Sequence, residues 1–328
     1  MNEFPEPSFR RFAGKSDYPK MAALIQEAAK ADETGYWTTA EDIERDYQHL
    51  DNCNPETDML MVEDAQGSLV AYTRVGWQED SEGQQVFVFP LNIHPAYRNV
   101  ELYRRLLQWI EKRAQEIAAV TTHDGRRIIR AMLRNIEKEA VLKSAMEAES
   151  YQPARYMNRM RRDLSEPIEI PALPDGLEIR PVPEIHYRAL AAAIDEAFRD
   201  HWGHTPVSEE NYLQWTSSPL FKPALWQVAW EGDEIAAGIL NFVDTEANKE
   251  FNVQRGWTDP IFTRRPWRKR GLARALLMRS LQMFKEMGMS EAMLGVDTQN
   301  PSGAFRLYEG CGFQSVMYSV VFEKELHR

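Results

Sequence analysis

Residues Arg264–Leu277 read "RRPWRKRGLARALL", a cluster of arginine and lysine that runs straight into a helix-like pattern in a chain that is acidic overall. The preceding "DPIFT" (Asp259–Thr263) has the apolar content of a short strand, and Pro266 marks a turn. From Leu272 through Leu276, Leu277, Leu281 and Phe284 the apolar residues recur at helical spacing, ending at Gly288. Arg268–Ala273 is therefore predicted to be a loop that opens a helix. A helix N-terminus carries unpaired N–H groups and partial positive charge, and small residues such as Gly271 and Ala273 let an anion approach the backbone. The guanidinium groups would add charge-assisted contacts to a phosphate. The plainer alternative is a solvated helix face, which is what most charge runs are.

The same strand, turn and helix occur twice. "PLNIHPAYRNVELYRRLL" (Pro90–Leu107) lies over "PIFTRRPWRKRGLARALL" (Pro260–Leu277) without a gap, pairing Arg98 with Arg268 and the two Leu-Leu ends. Upstream, Arg11–Ala28 matches Arg180–Ala197 as a strand end and an amphipathic helix, and Met59–Val75 matches Leu225–Val243 as a β-hairpin. Downstream, Tyr151–Leu164 matches Phe313–Leu326 as a closing strand. Four agreements in order define a tandem repeat of one α/β domain. Between the copies, "DLSEPIEIPALPDG" (Asp163–Gly176) has three prolines and no helical periodicity. The predicted organisation is a domain over 1–164, a proline-rich linker over 165–176 and a second domain over 177–328.

Length and composition agree. A chain of 328 residues with 43% hydrophobic and 27% charged residues has room for two cores and the makeup of a globular protein. No apolar run approaches the roughly 18 residues of a membrane span, and the N-terminus lacks a signal-peptide core, so a cytoplasmic protein is expected. The two cysteines, Cys53 and Cys311, have neither disulfide-framework nor metal-ligand spacing, and no metal is expected. A net charge of -11 argues against broad nucleic-acid binding, which needs many Lys and Arg contacts.

Arg268, Lys269, Arg270, Gly271, Leu272 and Ala273 spell R-x-x-G-x-A, and this loop resembles the pyrophosphate-binding loop of the GNAT acyltransferases. A second stretch, "VDTQNPSGAFRLYEGCGF" (Val296–Phe313), resembles the family's other half-motif through Asn300, Ala304, Leu307, Tyr308, Glu309, Gly312 and Phe313. The two motifs lie about 27 residues apart, Gly271 to Thr298, the room a helix and a strand require. The resemblance implies two tandem GNAT-like domains of α/β, α+β mixed-sheet class, each a mostly antiparallel central sheet flanked by helices. It is similar in form to the mycothiol synthase-like acetyltransferases.

What the resemblance implies for chemistry is an acetyl-CoA-dependent N-acetyltransferase, an acyltransferase moving an acetyl group to a primary amine of a small molecule or peptide by direct attack in a ternary complex. The alternative is a non-catalytic acyl-CoA-binding sensor. Coenzyme A would be held by Phe262, Thr263, Arg268, Lys269, Arg270, Gly271, Leu272, Ala273, Asn300, Ala304 and Tyr308. Tyr308 is the implied proton donor to the leaving thiolate. Candidates for the general base are Asp259 and Asp297, with His201, His204 and Glu250 able to act only through water; Asp259 is preferred because the family often draws its base from that strand or its neighbour. His201, Trp202 and His204, after the first helix of the second repeat, and Asp297 are expected at the acceptor, and the protein is expected as a monomer or homodimer.

The first repeat departs from the pattern at these positions. Glu101 and Tyr103 align with Gly271 and Ala273, bringing a negative charge and bulk where an anion should sit, and Met146 aligns with Tyr308. The Gly-Phe turn is also missing from the sequence there. The first domain is therefore expected to have kept the fold and lost cofactor binding.

Overall fold

The computed structural model describes residues 7–300 and 302–326. The chain forms two compact units: the second is Met157–Met317 and the first is the remainder. In chain order the first unit contains β1 (Ser8–Arg10), α1 (Tyr18–Ala31), α2 (Ala40–Tyr47), α3 (Pro55–Asp58), β2 (Met59–Glu63), β3 (Leu69–Arg74), β4 (Gly76–Glu79), β5 (Gln85–Val88), β6 (Leu91–Ile93), α4 (Val100–Val120), β7 (Arg127–Leu133) and α5 (Ala140–Ala148). After β8 (Gln152–Asp163) the second contains β9 (Glu178–Ile179), α6 (Tyr187–Phe198), α7 (Glu209–Ser217), β10 (Gln227–Glu231), β11 (Glu234–Phe242), α8 (Thr245–Glu250), β12 (Arg255–Thr263), α9 (Leu272–Glu286), β13 (Glu291–Asp297) and α10 (Ala304–Gly310). β14 (Gln314–Glu325) closes the chain.

Both units have mixed sheets flanked by helices. In the first, β1, β2, β3 and β6 pair in that order, all antiparallel. β4 and β5 are also antiparallel, and β5 runs parallel to β7. In the second, β8, β13, β12, β11, β10 and β9 lie side by side, with only the β12–β13 pair parallel. A parallel neighbour requires a crossover, and α4 lies within the one from β5 to β7 and α9 within the one from β12 to β13.

The two closing strands divide between units. Residues Met157–Asp163 of β8 run along β13 in the second unit, whereas Val320–Glu325 of β14 run along β7 in the first. The compact units thus part within these strands and not at the proline-rich segment, because alternation identifies a strand without naming its ladder partner. The proline-rich segment is extended, and its Leu164, Ile168, Leu173 and Leu177 pack on the core of the second unit.

Helical spacing produces the cores. α4 turns Leu102, Tyr103, Leu106, Leu107 and Ile110 against Val62, Phe87, Ile129 and Leu133. In the second unit, α9 buries Leu272, Leu276, Leu277, Leu281 and Phe284 against Ala292, Leu294 and Val296 on one sheet face. Each such buried leucine stabilises by about 1.5–3 kcal/mol, so α9 is fixed by its apolar stripe and its N-terminal loop is held at a defined point. α6 covers another part of the core with Leu190, Ala193 and Ala197 against Val228, Trp230 and Phe262.

Candidate functional site

The loop before α9 has the shape of an anion cradle. Lys269 and Gly271 both adopt positive φ, 61° and 80°, and alternation of this kind turns successive N–H groups toward one side. Gly271 is the N-cap of α9, and no side chain caps the helix there. A β-carbon built on Gly271 meets nothing within 4 Å, so no other atom crowds that point of the loop. Leu272 is buried in the core and Ala273 is half-buried, which leaves the backbone as the contact surface.

The arginines of the loop do something other than face that space. Arg264 pairs with Glu196 at 2.7 Å, Arg265 with Asp200, and Arg268 with Asp200 at 3.1 Å. Arg268 also donates through Nε to the Thr263 carbonyl (3.1 Å) and through Nη2 to the Ala197 carbonyl (2.9 Å). Arg270 lies 3.6 Å from Glu231 and reaches the Asp175 carbonyl. Much of the cluster therefore fastens the loop to the end of α6. Asp200, absent from the expected site, is the anchor, and Arg265 and Arg268 hold its carboxyl below the usual range.

Next to the loop the sheet opens. The parallel register of β12 and β13 runs Arg255↔Glu291, Gly256↔Ala292, Trp257↔Met293 and stops. Two residues further, Asp259 and Pro260 oppose the single residue Leu240 of β11, between the pairs Asn241↔Thr258 and Ile239↔Ile261. Such a bulge re-aims a side chain. Asp259 points across the opening toward Gly295 of β13, where a β-carbon would lie 3.8 Å from its Oδ2. The carboxyl keeps accessible surface although protein crowds it, as at a cleft wall; lost hydration pushes its pKa up to about 6, and Arg159 pulls against that rise. Tyr308 of α10 is buried, and its phenol pKa is raised by burial and then by Asp259.

Other candidates fall into two groups. His201 comes to this end of the unit, with Nε2 3.5 Å from Asn300 Nδ2 and its ring against Phe198; burial, then Arg268, lowers its pKa. Asn300 also accepts from the Ser302 amide, and Asp297 at the end of β13 accepts from the Gln299 amide. Trp202 is half-buried in the same loop, and Ala304 opens α10. By contrast, His204 is tied to Asp195 of α6 at 3.1 Å, and the Phe262 ring sits in the core against Gly238. Thr263 contributes its carbonyl to Arg268. Glu250 ends α8. Among the described residues there is no group of three or more His, Cys, Asp or Glu placed to hold a metal ion, and no helix is long and apolar enough to cross a membrane.

The first unit repeats the scaffold with different chemistry. Arg98 donates to the Ile93 carbonyl and pairs with Asp32 at 2.7 Å, as Arg268 does with Thr263 and Asp200. Its helix, however, begins directly after Asn99, whose side chain accepts from the Leu102 amide at 2.9 Å. That cap occupies the position an anion would take. Glu101 lies within the first turn of α4 and Tyr103 turns into the core, so the cap, not their charge or bulk, closes this end. The parallel registers also align Gln85 with Arg255, which puts the buried Phe89 where the second unit has Asp259. Met146 does stand for Tyr308, since the Tyr151 amide bonds its carbonyl as the Phe313 amide bonds that of Tyr308. The turn absent from the sequence persists, with Ser150 at φ 67° in place of Gly312 at 85°.

Residues 187–313 match the Acetyltransferase (GNAT) family model. A mycothiol acetyltransferase of Thermobispora bispora is 30% identical over 175 residues, 52% of this chain and 58% of that protein, so the match spans less than two thirds of the relative. The structure of a GCN5-related N-acetyltransferase from Sphaerobacter thermophilus is 27% identical with a TM-score of 0.72, covering 99% of this chain and 98% of that one. A tandem GNAT protein from the clavulanic acid biosynthesis pathway, 14% identical with a TM-score of 0.69 over 98% and 99% of the two chains, shares the fold.

Proposed function

We propose that the second unit transfers an acetyl group from acetyl-CoA directly to the primary amine of a small molecule or peptide, acting in the cytoplasm. The observation that carries this reading is the conjunction of an uncapped, open helix N-terminus with Asp259 and Tyr308 beside an unpaired stretch of two parallel strands. The amides of Arg268–Ala273 would bind the pyrophosphate, and the backbone of β12 beyond Trp257, freed from its parallel partner, would meet the pantetheine amides. Acetyl-CoA supplies an activated thioester. Asp259, with a pKa of about 6, is ionised at neutral pH and is the group suited to take a proton from the acceptor's ammonium, leaving the neutral amine to attack the thioester carbonyl. Tyr308 keeps its proton at neutral pH and donates it to the departing sulfur.

The first unit is assigned no acetyl-CoA site, given its Asn99 cap, Phe89 and Met146. Coenzyme A release with an amine panel tests the acid role. Tyr308→Phe should lower kcat by about 10²-fold while acetyl-CoA affinity stays within a factor of three. Unchanged kcat would remove Tyr308 from the mechanism.

A further inference from the structure

Away from Asp259 and the loop amides, the second unit carries a groove of about 380 Å³ between α6 and the β10–β11 hairpin. Its apolar lining includes Ala189 and Ala193, four residues apart on one face of α6, and Ile235 and Trp230 of the hairpin. Its charged lining is Glu196, Asp233, Glu234 and Arg264. Arg264 bonds Glu196 at 2.7 Å and reaches Glu234 at 3.5 Å. Three carboxylates against one guanidinium leave an excess of negative charge, and Asp233 and Glu234 hold it at the exposed hairpin turn.

The first unit bridges the same place with ion pairs. Lys20 and Leu24 of α1 align with Ala189 and Ala193 of α6, and Asp17 aligns with His186. Met61 and Val228 pack against the first helix of their units, so the residues two places further, Glu63 and Trp230, share that face. Lys20 bonds Glu63 at 3.2 Å, and Arg10 ties Glu63 to Asp17 at 2.7 Å from each. The second unit has shortened two of these helix side chains and put an indole where the carboxylate stood. That exchange leaves a donor unanswered. Trp230 is 3% exposed, with the His186 ring 5.5 Å away at 72° and the Arg180 guanidinium 4.7 Å from its centroid, and its Nε1 has no hydrogen-bond partner among the described residues. A buried indole N–H ordinarily finds an acceptor.

We propose that this groove is a second binding site, for a small organic cation that also carries an oxygen acceptor. Its apolar or aromatic body lies against the alanines and Ile235, its ammonium group meets Asp233 and Glu234, and its oxygen takes the Trp230 N–H. The volume suits a ligand of this size. The site is independent of acetyl transfer, and its occupancy requires no turnover.

Tyramine, with a cation, a ring and a phenolic oxygen, is the probe. Phenethylamine lacks the oxygen, and 4-hydroxyphenylacetate carries the opposite charge. In the full chain labelled with nitrogen-15 at tryptophan, the indole N–H resonance that Trp230→Phe removes should move with tyramine and saturate with a Kd of about 1 mM or tighter. Phenethylamine should bind about three- to tenfold more weakly, and the acetate should leave the resonance in place. Ala189→Lys, which restores the first unit's Lys20, should weaken tyramine at least tenfold. Asp233→Asn combined with Glu234→Gln changes only exposed side chains, so it reads the charge without disturbing the core, and should weaken tyramine by about two- to tenfold. A Trp230 resonance that does not respond to tyramine, a Kd indifferent to these substitutions, or equal binding of 4-hydroxyphenylacetate overturns the proposal.

Discussion

Lost hydration acts on Asp259, crowded by protein though still accessible, and on buried Tyr308 in the same direction with opposite consequences. It raises the carboxyl to about 6, where it still ionises at neutral pH but holds a proton better than a free aspartate, and it raises the phenol further from ionisation. If Asp259 is the base, kcat/KM should rise with pH and level off above about 6, and Asp259→Asn should remove that limb and lower kcat by about 10²- to 10³-fold. Stability should move the other way. A group whose folded pKa is raised contributes stability below its unfolded pKa and loses it as pH rises through the folded value. Asp259→Asn should therefore melt higher than the natural protein near pH 8 and lose that advantage between about pH 6 and 4. An unchanged pH–rate profile in the variant would exclude the base role. Tyr308 is proposed from the motif around it, and Asp259 is preferred over Asp297 only by the family resemblance; the bulge and the strand opening add a geometric reason for that choice, which the sequence does not carry. Gly295 carried a signal that went unused, a glycine inside an apolar strand.

At the scale of elements, the loop and its helix were readable from R-x-x-G-x-A and the leucine spacing, but the purpose of the arginines was not. A sequence shows charge without showing its partner. Asp200 takes both Arg265 and Arg268, and the equivalent Arg98–Asp32 bond in the first unit shows that this clasp belongs to the fold, independent of an open anion site. Asp200→Ala should loosen the cradle and weaken acetyl-CoA binding by about tenfold, by calorimetry, since preorganised donors bind better than mobile ones. Tighter binding would mean instead that the released guanidinium groups serve the phosphates better than the clasp does. The helix cap was equally hidden: Asn99 is a good N-cap by type, yet gapless alignment set it against Lys269 and drew attention to Glu101.

Over the whole molecule, the repeat found in four aligned segments reappears in backbone bonds, including Tyr97 to His94 matching Trp267 to Arg264. Turn geometry outlasted sequence likeness, as Ser150 shows by holding the left-handed conformation that Gly312 takes where Arg162 crowds it. Which sheet each closing strand joins could not be read from alternation, because ladder partners are chosen by tertiary contacts. The two units nevertheless differ most at one place, the start of the helix after the parallel strand: capped by Asn99 in one, open at Gly271 in the other. Titration of acetyl-CoA into the full chain and into Gly271→Glu, followed by calorimetry, tests that difference most directly. One site per chain, abolished by the substitution in a variant that still folds, is the expected result; two sites, none, or binding that survives Gly271→Glu would contradict it.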